Sequence, residues 1–123
     1  MATKTHPRED RALSAPWLLF KISEQLQSLK NEPAWQRGDR DSITLMKTPG
    51  LTLVLMALRA GDVMHQHQAS GPVVIQVLTG KVLVEFAGDA PELCAGELLT
   101  VDPLVMHEVR ALEESTLLLM VGQ

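Results

Sequence analysis

From Ser42 onward the chain is a succession of short apolar runs, each closed by glycine or proline. Within the runs apolar residues recur at every second position, the period of a strand with one face buried. Strands are expected over Ser42 to Lys47, Leu51 to Arg59, the stretch holding His65 and His67, and Val73 to Thr79. Further strands are expected over Lys81 to Phe86, Leu93 to Ala95, Leu98 to Val101, Met106 to Ala111 and Ser115 to Val121. Turns fall at Pro49-Gly50, Gly61-Asp62, Ser70-Gly71-Pro72, Gly80, Gly88-Asp89 and Gly96-Glu97, all residue types that make tight reversals. Many short strands joined in this way indicate an all-β sandwich or barrel.

Alternation also sorts the faces. Val73, Ile75 and Val77 share one side, continued by Val82, Val84 and Phe86, and this is the expected core. The other side carries Val74, Gln76, Leu78, Lys81, Leu83 and Glu85, which is too apolar for a wet sheet surface. Either an N-terminal helix or a second copy of the chain must cover it, and the row Val74, Leu78 and Leu83 points to a homodimer.

Ahead of the strands the pattern changes. Residues 1–16 are polar, mixed in charge and without period, so they read as a flexible tail that includes a solvated His6. Residues 17–41 read as a strand and helix packing on the barrel of residues 42–123. Trp17 to Ile22 forms the short strand, and Ser23 caps a helix to about Asn31 with Leu26 and Leu29 on its apolar face. Pro33 stops that helix, and Trp35 anchors it to the body.

Composition narrows the function classes. A chain of 123 residues makes one domain, and its 46% hydrophobic content is almost wholly aliphatic, with no tyrosine. A net charge of −4 without a basic cluster argues against nucleic-acid partners. No apolar run approaches the roughly 20 residues that span a bilayer, and no leader-like segment stands ahead of the strands, so a soluble cytoplasmic protein is expected. The single cysteine, Cys94, excludes an internal disulfide and, lying among apolar residues, reads as a buried inert thiol. Glu113-Glu114 reads as a solvated turn, and no nucleophile elbow or phosphate-binding glycine loop is present.

The candidate chemistry lies in the histidines. His65 and His67, two residues apart on a strand, are expected to project from one face and to grip a single ion, with His107 as a third donor. Imidazole suits Fe, Zn, Ni or Cu and leaves positions open for a ligand. Gln76 falls on the wrong face to be a fourth ligand, Met64 and Met106 read as packing, and Asp102 reads as a turn residue.

The order of a glycine turn, a His-x-His strand, a strand ending Val77-Leu78-Thr79-Gly80, a second glycine turn and Pro103 followed by His107 resembles the two sequence motifs of the cupin superfamily. The likeness runs over about residues 42 to 121. It implies a double-stranded β-helix, or jelly-roll, barrel with a divalent metal (Fe, Zn, Ni, Mn or Cu) inside one end, held by His65, His67 and His107. It also shows departures. The position of the family's glutamate falls at Val73, its Pro-x-Gly spacing reads Asp102 and Leu104, and its later asparagine falls at Ala111. The implied function is a metal-dependent dioxygenase or isomerase/lyase acting on a small organic anion. The alternative is a non-catalytic small-ligand or regulatory module that kept the barrel, with a largely apolar pocket.

Overall fold

The computed structural model describes residues 12–123, so His6 and most of the tail expected over residues 1–16 lie outside the described residues. In chain order the elements are α1 (Ile22–Lys30), α2 (Pro33–Gln36), β1 (Asp41–Lys47), β2 (Leu51–Leu58), β3 (Val63–His67), β4 (Val73–Thr79), β5 (Lys81–Glu85), β6 (Glu92–Cys94), β7 (Leu98–Val101), β8 (His107–Ala111) and β9 (Ser115–Gly122). One sheet has the order β1-β2-β9-β4-β7 and the other β3-β8-β5-β6, with every pairing antiparallel. The expected all-β jelly roll is what the strands build.

Between the sheets lies an aliphatic interior. Val73, Ile75 and Val77 of β4 meet Val82 and Val84 of β5, joined by Leu93, Val109, Leu117 and Leu119. Burying side chains of this size stabilises the fold by about 1.5–3 kcal/mol each before entropy is subtracted. Gly80 makes the β4–β5 corner at φ +89°, and a Cβ there would stand 2.3 Å from Ser115 Oγ and 2.4 Å from the Glu114 carbonyl. Ser115 Oγ accepts from the Lys81 amide at 3.0 Å, which fastens that corner to the start of β9.

A second apolar cluster covers the outer face of the larger sheet. Leu29 and Trp35 from the helices pack on Ile43, Leu45, Leu55 and Ala57, with Leu78 and Leu118 at the margin. Trp35 is the expected anchor. Arg59 stacks on its ring at 4.0 Å and donates to its carbonyl at 2.7 Å. The apolar row behind the homodimer expectation is therefore not one surface. Val74 and Leu78 belong to the larger sheet and Leu83 to the smaller, because the chain changes sheets at Gly80, and Leu78 is already packed against the helix cluster.

Three local expectations differ. Residues 17–21 form no strand, and α1 begins at Ile22 with Lys21 as its N-cap and no side-chain cap bond, so Ser23 sits inside the first turn. Pro33 opens α2 at a position where its missing N–H costs nothing. Cys94 is exposed, because the alternation of β6 sends Leu93 inward and its neighbour out. Among the described residues no helix is long and apolar enough to cross a membrane.

Candidate functional site at the barrel mouth

Strand β8 delivers His107. Its alternation buries His107, Val109 and Ala111 and leaves Glu108 and Arg110 on the opposite face. Only 1% of the His107 surface is exposed. Its Nδ1 lies 3.0 Å from the Val105 carbonyl oxygen. A carbonyl only accepts, so Nδ1 is the donor in this contact. Phe86 follows β5 on the interior-facing parity of Val82 and Val84, packs against the interior cluster, and holds its ring centroid 6.3 Å from that of His107 at 43°. Beside Phe86 opens a recess of about 490 Å³ lined with Asp89, Ala90 and Pro91.

The segment preceding His107 has an unusual backbone. Its Leu104 has φ +67°, the one non-glycine residue at positive φ among the described residues. A bulky side chain in the left-handed region costs about 1–2 kcal/mol. The Leu104 amide donates to the Ala69 carbonyl at 2.8 Å, tying this segment to the end of β3. Leu104, Val105 and Met106 are consecutive, apolar and exposed by 63%, 39% and 41%.

Strand β3 departs from simple alternation. Val63 pairs with Arg110 and Met64 with Val109, but the next pair is His67 with His107. His65 and Gln66 together face Glu108, two residues against one, which is a β-bulge. The His65 side chain is 86% exposed, with Nδ1 4.0 Å from Glu108 Oε1. Glu108 is itself within 4.0 Å of Arg110, whose Nε lies 3.8 Å from Glu85 Oε1. The contacts of Arg110 are outer-face ion pairs of small energetic weight.

His65 therefore lies away from the face that buries His107. The register brings the backbone of His67 opposite His107 and sets His65 on the other side of the sheet, beside Glu108. The His67 side chain lies outside the described residues. Two residues further on, Ala69 packs against the interior cluster, and Val73 is buried in it. A three- or four-donor metal site needs its donors on one face, and Ala69 and Val73 supply none. Among the described residues no three His, Cys, Asp or Glu side chains are grouped to hold a metal ion.

No protein-family model and no curated protein matches the chain. Solved structures do. A cupin superfamily protein from Desulfitobacterium hafniense superposes with a TM-score of 0.72 at 13% identity, covering 91% of this chain and 95% of that one. KdgF from Halomonas sp. gives 0.62 at 26% identity over 76% of this chain and 83% of its own. The fold is that of the cupin superfamily. A larger cupin-fold neighbour, a variant of salicylate 1,2-dioxygenase from Pseudoaminobacter salicylatoxidans, gives 0.76 at 19% identity, where this chain covers 36% of that protein.

Three features of this cupin mouth were not singled out as site features from the sequence. Phe86 as a neighbour of His107 was within reach, since its parity with Val84 was read. The bulge at His65-Gln66 and the Leu104 conformation have no local signal in residue type.

Proposed function

We propose that the protein is a small-ligand-binding cupin whose ligand enters at the mouth, hydrogen-bonds the His107 imidazole and lies against Phe86. The observation that carries this reading is the His107 ring itself, buried in an aliphatic interior and oriented by the Val105 carbonyl. A polar group of fixed orientation set in apolar walls is the usual composition of a small-molecule site. With alanine at 69 and valine at 73, the interior supports binding better than metal chemistry.

A second reading is favoured by one specific observation, the register that sets His67 against His107. In it a divalent ion is held by His67 and His107, with His65 recruited by a change at the bulge. Such an ion would supply Lewis acidity toward a small organic anion, as in oxygenase or isomerase/lyase chemistry. The protein's own contribution would be the Val105 carbonyl, which orients His107.

Elemental analysis and native mass spectrometry of protein purified without added metal separate the two. The binding reading expects less than stoichiometric metal and a small-molecule adduct that His107→Ala loses. Stoichiometric metal lost in His107→Ala but kept in His65→Ala would replace it with a His67/His107 site. Metal lost in both variants would restore the three-histidine centre.

A further inference from the structure

Residues Asp102 to Val105 make a tight turn whose closing bond, from the Val105 amide to the Asp102 carbonyl, is long at 3.4 Å. Proline at the second position of such a turn fits type I and type II alike, and the third position tells them apart. Leu104 stands there at φ +67°, in the range of type II, which suits glycine and opposes leucine. Type I, with that φ at about −90°, is open to the same four residues without the strain. The two forms differ by turning over the peptide that joins Pro103 to Leu104, and that peptide carries the Leu104 N–H. In the observed form the N–H donates to the Ala69 carbonyl at 2.8 Å. Turning the peptide over points it away, so the bond to Ala69 exists only in the strained form.

That bond has a place in the strand ladder. His67 pairs with His107 at the end of β3 and the start of β8, and Ala69 with Leu104 is the next tie beyond that rung. With the tie made, His107 is 1% exposed. One backbone hydrogen bond stabilises by about as much as a leucine at positive φ costs, so the two turn forms lie within about tenfold of each other in population.

We propose that this turn is a peptide-flip gate to His107. Its type II form ties Ala69 down and closes the His107 rung, and its type I form releases Ala69 so that the end of β3 lifts off β8. The inference deepens the reading of His107 as the ligand's contact, because it supplies the opening that so buried a ring requires.

The test needs no ligand. Modification of His107 by diethyl pyrocarbonate is measured by mass spectrometry relative to His65 in the same full chain, at urea concentrations below the unfolding transition. Leu104→Gly removes the strain from the tied form and should slow His107 modification at least about fivefold. Leu104→Val, whose β-branch tolerates positive φ still less, should speed it severalfold. Leu104→Ala trims the side chain but keeps a Cβ at positive φ, and should stay within about twofold of the parent rate. These rates should not depend on low urea, because a local opening exposes little surface. A leucine that merely shields the ring gives faster modification in both Leu104→Ala and Leu104→Gly, which overturns the gate. An unchanged rate in Leu104→Gly overturns it too, as does His107 modification that follows urea and the unfolding midpoint in every variant. Should Leu104→Val not fold, the glycine variant still decides, since gate and shield predict opposite directions for it. Failure of the ligand reading shows separately, as a small-molecule adduct that survives His107→Ala, and leaves these rates as they are.

Discussion

The two faces of the β3–β8 ribbon carry the same residue type to opposite ends. On the inner face His107 is buried, held by the Val105 carbonyl and flanked by Phe86. On the outer face His65 is 86% exposed, beside Glu108 and the loose charged group that Glu108 makes with Arg110 and Glu85. One extra residue in β3 makes the difference, since two positions of that strand oppose Glu108 alone. Metal-ligand spacing in a sequence is thus only as informative as the regularity of the strand that carries it.

The largest expected effect comes from adding a charge to the inner face. Val73 is buried among Val101, Val121 and the interior cluster, so Val73→Glu should destabilise the metal-free protein by about 3–5 kcal/mol in urea unfolding. Paired with Ala69→His it should create a metal site with His107, and added Ni²⁺ should then raise Tm in proportion to log concentration. No metal response in the double variant would show that these positions do not converge.

Next in size is His107→Ala, which removes a buried ring and leaves the Val105 carbonyl without its donor. About 2–3 kcal/mol should be lost. Phe86→Leu keeps most of the apolar volume and should cost less than about 1.5 kcal/mol, while weakening any aromatic ligand severalfold. At the small end, His65→Ala should change stability by no more than about 0.5 kcal/mol, as for other exposed ion-pair members. A loss of 2 kcal/mol or more there, roughly the size expected for a buried group, would place His65 inside.

Much of the fold was legible because glycine, proline and alternation act locally. The Gly80 corner, the Val73-Ile75-Val77 core face and the Trp35 anchor all follow from residue type and period. The N-terminal segment was less legible. Ser23 has the chemistry of a cap, but the cap is Lys21, two residues earlier, where Ile22 and Phe20 pack on the cluster that covers the sheet. Leu83 and Leu78 looked like neighbours because parity was carried through Gly80, where the chain passes to the other sheet. For the site, His107 and its inward face were readable. The outward turn of His65 was not, because a bulge is set by cross-strand pairing with a strand about forty residues away in sequence.

The most direct measurement is chemical footprinting of the histidines with diethyl pyrocarbonate on the folded protein, read residue by residue by mass spectrometry. His65 should be modified readily, and His107 at least about tenfold more slowly, since its reaction requires local opening. Equal rates, or His65 and His107 protected together and released together by unfolding, would contradict the division of the ribbon into a solvated outer face and a buried inner one.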